Sequence, residues 1–277
     1  MRYGSVTLLV LLLRCLLNAV FVLLIHEELV KQKVDEMVAK SIPPSAFIAE
    51  PLSGNAGGVE IPTPYLSTAY EHIRSAGGLC ICDEVQVGYG RLGTGFWGFE
   101  EHQIVPDIIT MAKAAGNGHP FGFVIVSEDI VDDFYASQGS FFSSAGGGPI
   151  SCAVGKAVLE VIKQEDLQAN AREVGAYLHT KLLELQKKHP DVIGCIHGHG
   201  LYQGVELVQK GRVDAHGIPL PATKEAYAVC ERLLELGVIN HNTGDYSNVL
   251  KIKPPLYFSK DDADFFVQAL DVALQGW

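Results

Sequence analysis

Leu79-Cys80-Ile81-Cys82-Asp83-Glu84-Val85-Gln86-Val87-Gly88-Tyr89-Gly90-Arg91 decides how this chain is read. Its first four residues read as a buried strand. The strand ends in a carboxylate, Asp83, and runs into a glycine-rich turn. Thirty residues after Asp83, the stretch Met111-Ala112-Lys113-Ala114-Ala115-Gly116-Asn117-Gly118 delivers a lysine from a loop of small residues. An acid at a strand end and a lysine on a nearby loop are what a pyridoxal phosphate site requires. The carboxylate faces the pyridine nitrogen, and the amine forms the Schiff base.

Composition sets the outer bounds. The 277 residues are enough for one large or two ordinary domains. Hydrophobic content of 48% and charged content of 19% call for a packed core. A formal charge of −11, with no basic run longer than Lys187-Lys188, excludes nucleic acid as a partner, because that binding rests on clustered Lys and Arg. The six cysteines lie scattered in apolar surroundings without a CxxC pair, so buried free thiols in a reduced compartment are expected.

The N-terminus reads differently. Val6 to Ile25 is twenty residues long and carries one charge, Arg14. Its length and apolarity suit a transmembrane helix or signal anchor. A segment foreign to the fold is the competing reading. The cytoplasm suits the catalytic fold, and a membrane location follows only if residues 6–25 insert.

Outward from the opening stretch, periodicity gives the rest. Glu27 to Lys40 is an amphipathic helix that Pro43-Pro44 stops. Ala46–Ala49 is a short strand ending at Glu50-Pro51. Tyr65 to Ala76 is a helix ended by Gly77-Gly78. Phe121–Val126 is a strand, and Ser127 opens the next helix. Pro149 to about Lys163 is helical, with proline in the first turn. Asp166 to Lys188 is a long helix leading to a second unit. That unit has strands near Val192–Ile196, Gly204–Val208 and Val249–Ile252, and helices over Thr223–Leu236 and Lys260–Leu274. Short apolar strands alternating with helices imply a mainly parallel α/β sheet, followed by a smaller α+β unit. In such sheets the chemistry gathers at the carboxyl ends of the strands, where Glu50 and Asp83 both sit. The chain divides as 1–43 (hydrophobic segment and amphipathic helix), 44–164 (partial large domain) and 165–277 (small domain).

Together, Ala49-Glu50-Pro51, Asp83 to Arg91, Pro106-Asp107-Ile108, Lys113, Gly146-Gly147-Gly148-Pro149 and Leu250 to Leu256 resemble the class III, ornithine-aminotransferase-like enzymes of fold type I. The likeness runs from about Ala46 to Trp277. Within the class it is greatest to a subgroup near the phospho-lyases of phosphoethanolamine and phosphohydroxylysine. The resemblance implies a homodimeric transaminase that binds pyridoxal 5′-phosphate and takes small amine and keto-acid substrates. It implies that Lys113 forms the Schiff base and that Asp83 pairs with the pyridine nitrogen. By the same likeness, Gln86 contacts the ring hydroxyl. Ser144, with Ser143 as the competing choice, holds the phosphate, often that of the other subunit. Glu50 matches an acid near the substrate.

Two departures carry weight. Many members bind the substrate carboxylate with an arginine where this chain has Lys251, and the acid that often pairs with it is here Asn55. A lysine is a point charge without the planar fork of a guanidinium. The resemblance therefore leaves a phospho-lyase as the alternative to a transaminase. The family's N-terminal phosphate cup and ring-stacking aromatic have no counterpart before Ala46, so the resemblance also implies a truncated chain and leaves an inactive relative open. His197-Gly198-His199 is a weak metal signal, two histidines without a third ligand, and reads as turn chemistry. No metal is expected.

Overall fold

The computed structural model describes residues 28–275. The apolar segment Val6–Ile25 lies outside them. No helix among the described residues is long and apolar enough to cross a membrane.

The first helix, α1, spans residues 28–39. Then come β1 (Ala46–Ala49), a hairpin of β2 (Leu52–Ser53) and β3 (Val59–Glu60), α2 (Thr63–Ser75) and β4 (Leu79–Asp83). β5 (Ile108–Met111), β6 (Phe123–Val126), α3 (Glu128–Gln138) and α4 (Pro149–Gln164) complete the first half. Strands β1, β4, β5 and β6 form one sheet in that order. β1, β4 and β5 run parallel, whereas β6 is antiparallel to β5. β5 escaped the sequence reading because its four residues, Ile-Ile-Thr-Met, follow a Pro-Asp pair and end directly at the lysine loop.

That Pro-Asp pair has a structural task. The Asp107 carboxylate accepts the Cys80 N–H at 2.7 Å and two bonds from the Arg74 guanidinium at 2.9 and 3.2 Å. It thereby clamps the entry of β4 to α2. Cys80 and Cys82 alternate onto one face of the sheet, as their spacing predicts; Leu66, Tyr70 and Ile73 of α2 cover Cys80, and the Cys82 thiol meets the Glu84 carboxylate at 3.6 Å. The opposite face carries Ile48, Ile81, Ile108 and Val126 in one register row. Ile48 is 60% exposed there, so the described residues leave that face largely open. The five thiols among the described residues are free, but Cys152 is exposed rather than buried, because α4 turns much of its surface to solvent.

The long helix α5 (Leu167–Lys188) leads into a wholly antiparallel sheet. Its strands are β7 (Ile193–His199), β8 (Tyr202–Val213), β9 (Pro219–Pro221), β10 (His241–Thr243) and β11 (Val249–Ile252), with α6 (Thr223–Glu235) and α7 (Lys260–Leu274) packed on it. Leu178 and Leu182 of α5 meet Val205, Leu207, Leu233, Leu250 and Leu270, all fully buried. α7 begins with a capping box, Ser259 Oγ accepting the Asp262 N–H while the Asp262 carboxylate accepts the Ser259 N–H.

His199, at the end of β7, ties the antiparallel sheet to the β2–β3 hairpin and to a turn of the first half. Its Nδ1 meets Glu60 at the end of β3 and its Nε2 meets Glu101 in a 3-10 turn (Gly98–His102), each at 2.8 Å. Those bonds, Glu101 first and then Glu60, raise the imidazole to about 9. A histidine pKa raised on folding stabilises fully below the unfolded value near 6.5 and loses that contribution as pH rises through the folded value. Wild type is therefore expected to lose about 1–2 kcal/mol of stability between pH 7 and pH 10, after allowance for screening at this partly open site. His199→Gln should reduce this alkaline loss, leaving the part that His197, also raised to about 9, contributes, as read by melting temperature across pH. An unchanged slope in the variant would refute the assignment. His197 is likewise carboxylate-paired, to Glu206 at 2.8 Å, so both histidines flanking Gly198 are structural, and they lie in strand β7 rather than in a turn.

Candidate active site

β1 and β4 are parallel neighbours, so Glu50 and Asp83, at or just past their carboxyl ends, emerge on one edge of the sheet. β5, parallel to β4, delivers Lys113 to the same edge through Met111-Ala112. The lysine opens a short 3-10 turn, Lys113–Gly116, with φ of 46°. A non-glycine residue in the left-handed region costs on the order of 1–2 kcal/mol, and such strain persists where the surroundings enforce it, commonly at functional positions. The side chain is exposed and carries no hydrogen bond or ion pair among the described residues.

The charges at this edge sense one another. Burial raises the Glu50 carboxyl above its ordinary value. The Gly54 N–H, bonded to Oε2 at 3.0 Å, works against that shift, Asp83 adds to it, and Lys251 and Lys113 oppose it. Asp83 is half-buried, its Oδ1 accepting the Val85 N–H at 3.0 Å in a local turn. Its Oδ2 takes no hydrogen bond among the described residues and remains available.

The small unit closes the other side. Tyr202, at the start of β8, is fully buried and donates its hydroxyl to the Gly54 carbonyl at 2.7 Å. Gly54 has no alternative residue here. A Cβ would stand 2.7 Å from Glu50 Oε2, 2.7 Å from the Tyr202 hydroxyl and 3.1 Å from Gln86 Cγ. Lys251 and Lys253 lie two residues apart, so both reach the same side of the chain leaving β11. Their amines stand 5.4 and 5.5 Å from the centre of the Tyr202 ring. Lys253 Nζ donates to Gln86 Oε1 at 2.7 Å. Arg91, nine-tenths buried, donates to the carbonyls of Leu201 at 3.0 Å and Pro254 at 2.7 Å. It thereby holds the segment after Lys253 against the turn that follows Asp83.

Five of the six sequence-derived site residues, Glu50, Asp83, Gln86, Lys113 and Lys251, thus share one edge. Ser144 does not join them within this chain. It lies on an exposed loop between α3 and α4, where the Ser143 hydroxyl is spent on the Gly146 N–H at 3.0 Å. Asn55 does not face Lys251 through a hydrogen bond. Its carbonyl accepts from Gly244 N and Thr243 Oγ1 and pins β10 to the β2–β3 hairpin. Tyr202 and Lys253 were missed in the sequence. The period-two spacing from Lys251 would have flagged Lys253, whereas nothing local marks Tyr202. A cavity of about 520 Å3 lies beside the lysine loop, lined by Ala114, His119, Val158 and Leu256 among others, but Lys113 and Asp83 do not line it.

The donor set tests well against pyridoxal phosphate. An amine without a partner among the described residues, an available carboxylate oxygen and an amide gather at one sheet edge, a set that suits the ring end of that group.

Comparison with known proteins agrees. The family model described as Aminotransferase class-III matches residues 20–274. Alanine–glyoxylate aminotransferase 2 homolog 2 of Arabidopsis thaliana, a mitochondrial protein, is 46% identical over 230 residues, covering 83% of this chain and 46% of that protein. The mitochondrial human alanine–glyoxylate aminotransferase 2 is 39% identical over 244 residues, covering 88% of this chain and 46% of that one. Among solved structures, an Arthrobacter phospholyase in complex with phosphoethanolamine superposes with a TM-score of 0.83 at 33% identity, covering 91% of this chain and 58% of that one. A transaminase from the marine bacterium Virgibacillus does so with a TM-score of 0.79 at 30% identity, covering 88% and 55%. The chain spans about half the length of the curated relatives it matches. These relatives share fold type I and pyridoxal phosphate dependence, and this chain belongs to the class III aminotransferase family.

Proposed function

We propose that this chain carries the catalytic lysine half of a pyridoxal phosphate-dependent transaminase. The observation that supports it most is the convergence of Lys113, Asp83 and Gln86 at one sheet edge, with Lys113 strained and without a partner among the described residues. Bound there, pyridoxal phosphate supplies an electron sink for the pair released when a substrate Cα–H bond breaks. Lys113 would hold the group through its amine and would move the proton at the substrate Cα. Asp83 Oδ2 holds a proton on the ring nitrogen by its charge. Glu50 and Lys251 orient the substrate, Lys251 as a cation for its acidic group. Residues 44–164 serve as the partial large domain and 165–277 as the small one. Ser144, exposed in the single chain, serves a second copy across a homodimer.

The names of these relatives suggest alanine as donor and glyoxylate as acceptor. Incubation of the chain with pyridoxal phosphate and both substrates should yield pyruvate and glycine in equal amounts. No turnover with any amine and keto-acid pair would refute the reading.

The alternative is a phospho-lyase. It is favoured by the lysine pair, which suits a phosphate as well as a carboxylate, and by the phosphoethanolamine complex among the structural neighbours. Phosphate release from phosphoethanolamine without a keto acid would support it, and strict dependence on the acceptor would exclude it.

A further inference from the structure

We infer that Lys253 is the positioning residue for Gln86: it captures the amide oxygen, so that Gln86 presents only N–H donors to its ligand. The inference rests on the placement of Gln86 beside the cofactor ring proposed above.

A glutamine amide has a carbonyl acceptor at one corner and two N–H donors at the other, and a half-turn exchanges them. Gln86 alone could therefore offer a ligand either face. A lysine ammonium has donors and no acceptor. With Lys253 Nζ 2.7 Å from Gln86 Oε1, the half-turn would set N–H against N–H. The exchange is closed, and the amide nitrogen must face elsewhere. An oxygen carrying negative charge, such as the ring oxygen of pyridoxal phosphate, is the acceptor this arrangement selects.

Both residues are held for the task. The Gln86 stem runs against Gly54, where an added Cβ would stand 3.1 Å from Gln86 Cγ and crowd it. The Lys253 amine stands 5.5 Å from the Tyr202 ring centre, and the following carbonyl, that of Pro254, is bonded to Arg91 at 2.7 Å. Around the amine lie cationic Arg91, Lys251 and Lys113, anionic Glu50 and the buried Tyr202. Burial first, then Arg91, Lys251 and Lys113, push Lys253 down to about 7, with Glu50 opposing. Above that pH the amine becomes neutral and gains an acceptor lone pair, so the discrimination weakens.

The test uses the full chain and pyridoxal phosphate. Lys253→Met keeps the stem against Tyr202 but has no donor, whereas Lys253→Arg keeps one. A hydrogen bond to a charged group is commonly worth enough to change a dissociation constant about tenfold. Lys253→Met and Gln86→Leu should each weaken pyridoxal phosphate binding by about that factor, and the double variant by no more than either alone. Lys253→Arg should bind within about threefold of wild type. The pH midpoint of the bound chromophore should rise by roughly one unit in Lys253→Met, because the ring oxygen loses a donor and a nearby charge, and should stay in Lys253→Arg.

Single effects that multiply in the double variant, or a chromophore midpoint unmoved by Lys253→Met, overturn the inference and leave the functional reading standing. A wild-type chain that takes up no pyridoxal phosphate overturns both. Should Lys253→Met not fold, Gln86→Leu decides in the cofactor-free chain. The 15N-lysine signal titrating near 7 should move lower there on loss of its acceptor, and an unmoved signal overturns the inference.

Discussion

Lys113→Ala is expected to abolish amino transfer, with a loss of at least about 10^4-fold. The proton-moving role of the amine alone accounts for roughly 10^2 to 10^4, and the covalent anchor is lost with it. Lys113→Arg should fare no better. A guanidinium stays protonated and cannot attack a carbonyl carbon. Folding should be indifferent to both changes. The side chain is exposed and bonded to nothing among the described residues, so stability should stay within about 0.5 kcal/mol. The positive φ is a cost already carried by a non-glycine residue, and alanine carries it equally. Wild type and variant would be compared by keto-acid formation and by melting temperature. Residual turnover above a hundredth of wild type would remove Lys113 from its role. A collapse of stability would show that the loop depends on the amine for structure.

Glu84→Ala is expected to have the opposite profile, unfolding the site rather than disarming it. Glu84 follows Asp83 and is fully buried. Its Oε2 accepts the Gly98 N–H and its Oε1 the Phe99 N–H, each at 2.9 Å, and so ties the strand end to the 3-10 turn that carries Glu101. Alanine leaves both N–H groups without an acceptor, at about 1–3 kcal/mol each. Relief of the buried charge offsets part of this. A net loss of about 3 kcal/mol should lower the melting temperature by roughly 6–12 °C for a chain of this size. Pyridoxal phosphate affinity should fall as well, since Asp83 sits next in the chain.

The pH dependence of Glu84 has a definite sign. Burial pushes its carboxyl up to about 6, against the pull of the Gly98 and Phe99 N–H groups. The native state therefore binds the extra proton between the unfolded value near 4.5 and the folded one. Its contribution is fully present below the unfolded value and declines as pH rises through 6. The gap between wild type and Glu84→Ala should be wider at pH 5 than at pH 7.5. A constant gap would place the carboxyl in a more polar setting than the one described.

What the sequence determined by itself was local. Period-two and helical spacing located β1, β4 and β11, the helices α2 and α4 to α7, and the carboxyl-end positions of Glu50 and Asp83, because those signals are written in consecutive residues. β5 and the antiparallel sense of β6 were not legible. The first is four residues without strong alternation, and pairing direction depends on where the chain returns rather than on composition.

The site divided in the same way. Asp83 and Lys113 stand out because strand end and loop are local features. Tertiary structure alone brought Tyr202 to the Gly54 carbonyl across 148 positions and Lys253 to Gln86 across 167. It also spent His199 on two carboxylates, and it committed the Asn55 carbonyl to β10. A side chain's partners follow from packing in three dimensions. Spacing along the chain reports only the face on which it starts.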